Sequence, residues 1–225
     1  KMSHKDTAYA GAYVKDPTVG QHDWVLSFDL NSLYPHLIMQ YNISPDTIVD
    51  ERIQCSVDEL LEQKLDTTHL QASNLTMAAN GQCFRKDFQG FLPAMMEELY
   101  ESRKFYKKKM LDAEQEYQVT KNEELQKDIA RYGNIQLAKK IALNSAYGAL
   151  GNQYFRYFDI RQAEGITLSG QLSIRWIEEA LNKYFNKLLK TDGENYVIAS
   201  DTDSVYINLS GLVDEVFGEI KSTNC

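Results

Sequence analysis

Apolar and polar positions divide this chain into a few short apolar runs and three long, charged, helix-like stretches. Val25-Leu26-Ser27-Phe28-Asp29 predicts a short buried strand, which passes directly into helical character from Leu33 to Tyr41. Asn31 or Ser32 suits the N-cap of that helix, and Pro35 fits its first turn, where an N–H has no partner to lose. Asn42 to Asp46, with Ser44-Pro45-Asp46 inside it, predicts a turn. Residues 51–92 are weakly patterned, with turn signals at Asn80-Gly81 and Gln89-Gly90. One long helix is expected from Pro93 to about Gln118 and a second from Asn122 to Ala149, paired as an antiparallel hairpin. In a third, from about Ala163 to Leu189, Ile177, Leu181, Tyr184 and Leu188 recur at i, i+4, i+7 and i+11 and predict a core-facing stripe. A strand from Tyr196 to Ser200, a turn at Asp201-Thr202-Asp203 and a returning strand from Val205 to Leu209 follow.

At 225 residues the chain has room for one large domain or two small ones with a real core. Its 43% apolar and 25% charged residues are ordinary for a globular protein, and no apolar run approaches the ~20 residues that span a bilayer. Lys1-Met2-Ser3-His4-Lys5-Asp6 lacks the apolar stretch of a secretory signal. Cys55, Cys83 and Cys225 are scattered and odd in number, which fits a reducing compartment better than a disulfide framework or a zinc site. A net charge of −8 counts mildly against a nucleic-acid partner. The sum matters less than the clustering, however, and Arg103 to Lys109 holds five cations and no acid.

Three constellations carry chemistry. Asp201-Thr202-Asp203-Ser204 puts two mutually repelling carboxylates at a hairpin tip, either as a solvated turn or as a cation site. It is no calcium loop, because Val205, Tyr206 and Leu212 stand where an EF-hand needs an oxygen ligand, Gly and Glu. Asp29, at a strand end before a helix, either caps that helix or holds a cation beside the free N–H groups of Ser32, Leu33 and Tyr34, which suit phosphate oxygens. Lys140, Asn144 and Tyr147 share one helical face, while Arg103 and Lys107 lie one turn apart on the opposing helix. Together Arg103, Lys107 and Lys140 would make a cationic clamp for a polyphosphate; the alternative, a solvated basic face, is preferred for Lys104, Lys108 and Lys109.

In this order the three constellations resemble the motifs of family B DNA polymerases, most of all the replicative enzymes of T4-like bacteriophages. Asp29 with Ser32-Leu33-Tyr34-Pro35 is similar to motif A, Lys140 to Gly148 with Ala149-Leu150-Gly151-Asn152 to motif B, and Asp201-Thr202-Asp203-Ser204 to motif C. Asn42-Ile43-Ser44-Pro45-Asp46-Thr47, and Asn80-Gly81 leading to Gly90-Phe91-Leu92-Pro93, fit as well. Ala199-Ser200 stand where the family has Tyr-Gly, whose Tyr touches the primer end, and His36 stands where Ser is usual. The hairpin is also shorter than in T4-like relatives.

The resemblance implies an α+β fold: a palm whose antiparallel sheet is backed by helices, and fingers made of an α-helical hairpin. Palm is expected over 1–92 and 153–225, and fingers over 93–152. It implies a DNA-directed DNA polymerase working on primer–template DNA and deoxynucleoside triphosphates with two magnesium ions. Asp29, Asp203 and the Leu30 carbonyl would be ligands, and Asp201 an outer or occasional one. Ser32, Leu33, Arg103, Lys107 and Lys140 would hold the triphosphate. Asn144 and Tyr147 would line the nascent base pair, with Gly148 and Thr202 facing the DNA and Tyr34 lying under the deoxyribose to exclude a 2′-hydroxyl.

Family members also carry a proofreading exonuclease built on Asp-x-Glu. One such triplet here, Asp112-Ala113-Glu114, lies on the wrong side of motif A, falls inside a charged helix and reads as solvated surface. Exonuclease and thumb are therefore expected either in the continuation of a partial sequence or on a partner chain of a naturally split polymerase. A sliding clamp would attach through a tail beyond Cys225. The implied location is the cytoplasm of an infected bacterial host. A reverse transcriptase would place two aspartates side by side, and a non-catalytic DNA-binding remnant would have lost a carboxylate or a clamp residue.

Overall fold

A computed structural model describes residues 9–218; Lys1 to Asp6 and Cys225 lie outside the described residues. Strands β1 (Val14–Lys15) and β2 (Val25–Asp29) precede helix α1 (Leu33–Tyr41), so β2 and α1 have the expected bounds. The expected burial of β2 is not met: all five of its residues are exposed. β2 is the outer strand of a four-stranded antiparallel sheet, ordered β1-β6-β7-β2. Leu26 and Phe28 pair with Ile207 and Val205, which are buried on the inner strand while their outer partners stay open. Ser32 takes the N-cap of α1 but does not cap it. Its backbone is left-handed (φ 56°) rather than extended, which swings the hydroxyl away from the helix to donate to Asn31 Oδ1 at 3.3 Å.

The weakly patterned stretch folds into β3 (Ile48–Arg52), α2 (Val57–Leu61), α3 (Thr68–Ala72), β4 (Leu75–Met77) and β5 (Gln82–Arg85), and its strands form a second antiparallel sheet, β3-β5-β4. Gln82, Cys83 and Phe84 are buried in succession, so the central strand shows no alternation. The Gln82 amide is satisfied by the carbonyls of Val49 and Glu51. Gly81 turns β4 into β5 at φ 81°, and a β-carbon there would lie 1.7 Å from the Ile53 carbonyl oxygen. Gly81→Ala is expected to cost about 2 kcal/mol of stability in chemical denaturation, from the forbidden backbone and the displaced Ile53 carbonyl.

Helices α4 (Phe91–Thr120) and α5 (Glu123–Leu150) form the expected antiparallel hairpin, and Asn122 Oδ1 caps α5 by accepting from Glu124 N–H at 3.1 Å. Helix α6 (Ile160–Leu189), strands β6 (Val197–Asp201) and β7 (Ser204–Asn208) and helix α7 (Ser210–Phe217) complete the described chain. No described helix is long and apolar enough to cross a membrane. The fold is α+β, with sheets backed by helices and a helical hairpin.

Two apolar clusters hold it. Ile38, Phe84, Met96, Leu143, Leu150 and Ile166 join α1, β5, the hairpin base and α6. Ile174, Phe185, Val197, Val205 and Ile207 seal α6 onto β6 and β7. The stripe expected on α6 is half right. Ile177 and Leu181 pack inward, but Tyr184 and Leu188 are exposed, and Phe185 takes the inner place. At 100° per residue the buried face centres on Ile174, Leu181 and Phe185, which leaves Tyr184 on its shoulder, edge-on to Phe185 at 5.4 Å.

Candidate active site

The β6–β7 turn and the end of β2 are built as one unit. Asp29 of β2 and Asp201 of β6 each pair with Ser204 of β7, so both stand on its face of the sheet, about 9.5 Å apart with one strand between them. Asp203, in the turn, lies between them. Its carbonyl accepts from Leu30 N–H at 2.7 Å and its N–H donates to the Asp201 carbonyl at 2.6 Å. Thr202 N–H donates to the Tyr13 carbonyl at 3.0 Å, holding the β-branched Thr202 at φ 54°, a strained conformation for that residue type.

A cleft of about 590 Å³ opens in front of this unit. Asp29, Thr202 and Asp203 form one wall, and Asn31 to Pro35 at the start of α1 form the floor. Arg103 and Lys107 of α4, with Lys140 and Asn144 of α5, form the opposite wall. Among the described residues, Arg103, Lys107 and Lys140 make no ion pair with an acidic side chain. Arg103 goes further, since its Nε is buried without an acceptor. Lys104 instead pairs with Glu101 at 3.1 Å, and Lys109 covers the Phe105 ring at 4.7 Å, both on the solvated side of α4.

Charge in the cleft is frustrated on the acidic side. Burial, and then the neighbouring Asp29 carboxylate, push the Asp203 carboxyl above its ordinary range; Asp201 adds to this and a backbone hydrogen bond opposes it. Burial, then the Asp203 charge and Tyr9, raise the Tyr34 phenol. Its ring lies 4.7 Å from that of Tyr147, whose own phenol is pushed up by burial and by Tyr9, with which it shares a 3.0 Å hydrogen bond.

The family model for DNA polymerase family B matches residues 1–219. The chain belongs to that family. It is 31% identical to the DNA-directed DNA polymerase of Escherichia phage RB69 over 97% of its length, and 32% identical to that of Enterobacteria phage T4 over 95%. It is also 31% identical to the mouse DNA polymerase alpha catalytic subunit over 96% of its length. The chain spans little more than a quarter of each phage relative, 28%, and 13% of the mouse protein.

In this family B chain the cleft gathers Asp29, Ser32, Leu33, Tyr34, Arg103, Lys107, Lys140, Asn144, Thr202 and Asp203, all of them candidates from the sequence. Four other candidates stand outside its lining. Asp201 is exposed and accepts from the Thr202 hydroxyl at 2.9 Å; the Leu30 side chain packs beneath the sheet; Tyr147 backs Tyr34; and Gly148 is exposed, with nothing within 4 Å of where a β-carbon would be. Sequence reasoning missed Asn31 and Pro35 in the lining, although both sit inside the motif it had singled out. It also missed Tyr9, whose partner lies 138 residues away and leaves no local signal. Ser200, where the family has Gly, buries its hydroxyl without a partner among the described residues.

No three His, Cys, Asp or Glu side chains of the described residues gather closely enough to hold a metal ion alone. The raised Asp203 carboxyl, beside Asp29, is a donor set that a hard cation would relieve.

Proposed function

We propose that this chain carries the catalytic centre of a template-directed DNA polymerase, which adds deoxynucleotides to a primer 3′ end by two-metal phosphoryl transfer. The observation that carries this is a frustrated Asp29–Asp203 pair facing, across one cleft, three cations that have no acidic partner among the described residues. An incoming triphosphate with magnesium would answer both needs at once. Residues 1–92 and 153–225 act as palm and 93–152 as fingers.

Asp29, Asp203 and the Leu30 carbonyl would hold two magnesium ions, with Asp201 as an outer carboxylate. Bound there, magnesium supplies a Lewis acid at the primer hydroxyl and charge neutralisation at the departing pyrophosphate. Arg103, Lys107 and Lys140 hold the phosphates and stabilise the charge that accumulates on them. The N–H groups of Ser32, Leu33 and Tyr34 face the same anion at the start of α1. Asn144, Tyr147, Gly148 and Thr202 border the nascent base pair and the DNA. Primer extension by the full-length enzyme, beside its Asp203→Ala variant, tests the reading; equal extension by both refutes it.

Tyr34 sets sugar choice in this scheme. Its ring is clasped between Tyr147 and α6, where a β-carbon at Gly170 would lie 2.9 Å from Tyr34 Cε1. A ring with so little room to retreat excludes a 2′-hydroxyl sterically. Tyr34→Ala is expected to raise the ribo-to-deoxyribonucleotide ratio of kcat/KM by about tenfold or more. An unchanged ratio removes the steric role.

A further inference from the structure

His36 occupies the fourth position of α1 and touches two elements of the cleft. The Ser32 carbonyl receives its backbone N–H at 3.1 Å and its ring Nδ1 at 2.9 Å. A carbonyl only accepts, so Nδ1 carries the proton. The Ser32 carbonyl and the Leu33 N–H belong to one planar trans peptide and point in opposite directions. Holding the carbonyl back along the helix therefore aims the Leu33 N–H out of the helix end, into the cleft that Leu33 lines. Ser32 makes no cap bond with its own hydroxyl, so this peptide depends on the imidazole for side-chain support.

The same imidazole meets Tyr100 of α4 edge-on, with ring centroids 4.6 Å apart and planes at 82°. Tyr100 stands three residues before Arg103, about one helical turn, so any rotation of α4 that moves the guanidinium also moves this ring against His36. Serine, the residue the family resemblance leads one to expect at this position, can bond back to the carbonyl four residues earlier, but it is too short to reach Tyr100.

We propose that His36 is a positioning residue that couples α4 to the phosphate-binding peptide at the start of α1, so that the Arg103 clamp and the Leu33 N–H are set together. The proposal rests on the polymerase reading above and deepens it. Single-turnover incorporation by the full-length enzyme, which separates nucleotide affinity from maximal rate, tests it on three variants. His36→Ala is expected to weaken nucleotide affinity by about tenfold, the loss of one well-placed hydrogen bond to the reacting anion, with primer–template affinity unchanged. His36→Ser restores nucleotide affinity to within about threefold, through its own bond to the Ser32 carbonyl, but leaves the maximal rate reduced. Tyr100→Leu reproduces that second pattern: affinity kept, rate reduced.

Nucleotide affinity in His36→Ala within about twofold of wild type overturns the proposal, as does a wild-type maximal rate in Tyr100→Leu. So does a loss of primer–template affinity that follows the melting temperature, which marks a purely structural residue. A wild-type enzyme unable to extend primers overturns the polymerase reading and this proposal with it; normal extension with an indifferent His36→Ala overturns this proposal alone.

Discussion

Asp203→Ala is expected to slow nucleotide incorporation by about a thousandfold at saturating nucleotide and magnesium, because in the proposed mechanism it removes one of the two carboxylates that organise the charge of the reacting phosphates. The fold has no reason to suffer. Asp203 is tied to Leu30 and Asp201 through its backbone, and alanine keeps both of those bonds. In metal-free buffer at neutral pH the variant is expected to melt above wild type. The folded protein holds the Asp203 carboxyl above its ordinary range, so its ionised form opposes folding wherever the unfolded chain would be deprotonated. The difference should vanish as pH falls below the ordinary carboxylate range, where the group is protonated in both states. Primer–template affinity and melting temperature, measured beside the rate, separate a lost catalyst from a lost fold.

Arg103→Ala should lower kcat/KM for the incoming nucleotide by about a hundredfold, the usual scale for removing one charged donor from a preorganised site. Arg103 is half-buried on the cleft wall, and its Nε has no acceptor among the described residues. A donor left in that state is costly to the folded chain and is repaid only when an anion arrives. Arg103→Lys should recover little, since an ammonium cannot offer the planar fork. Steady-state kinetics with a single correct nucleotide checks both variants. An Arg103→Ala enzyme within about threefold of wild type would remove Arg103 from the clamp.

The parts of the fold that were legible in the sequence obey one periodicity over many residues. The α4–α5 hairpin, α1 and the β6–β7 turn could be read because charged helices and the Asp201-Thr202-Asp203 turn leave uninterrupted patterns. The cleft followed from face arithmetic, with Lys140 and Asn144 on one helix opposite Arg103 and Lys107 on the other. The second sheet escaped because Gln82, a polar residue, is buried in the middle of β5 and its neighbours are buried too. Burial of a polar side chain there depends on the carbonyls of Val49 and Glu51, more than thirty residues upstream. The exposure of β2 was invisible for a related reason: its apolar side chains are those of an inner strand, and only the order of the sheet puts it at the edge. Tyr184 and Phe185 were a matter of 100° of helical rotation, which a four-residue stripe does not resolve.

The sheet order bears on how the proposed polymerase would fail. Asp29 is carried on an outer strand, fixed on one side by β7 and at its end by the Leu30–Asp203 bond. Side chains alternate along a strand, so sliding β2 by a single residue would turn Asp29 to the α6 side and offer Leu30 to the cleft. The spacing of Asp29 and Asp203 is thus stored as alignment between two backbones. A substitution in β7 that shifted this alignment would move Asp29 out of the cleft without touching a side chain that lines it, and in a screen it would look like a change to the site itself.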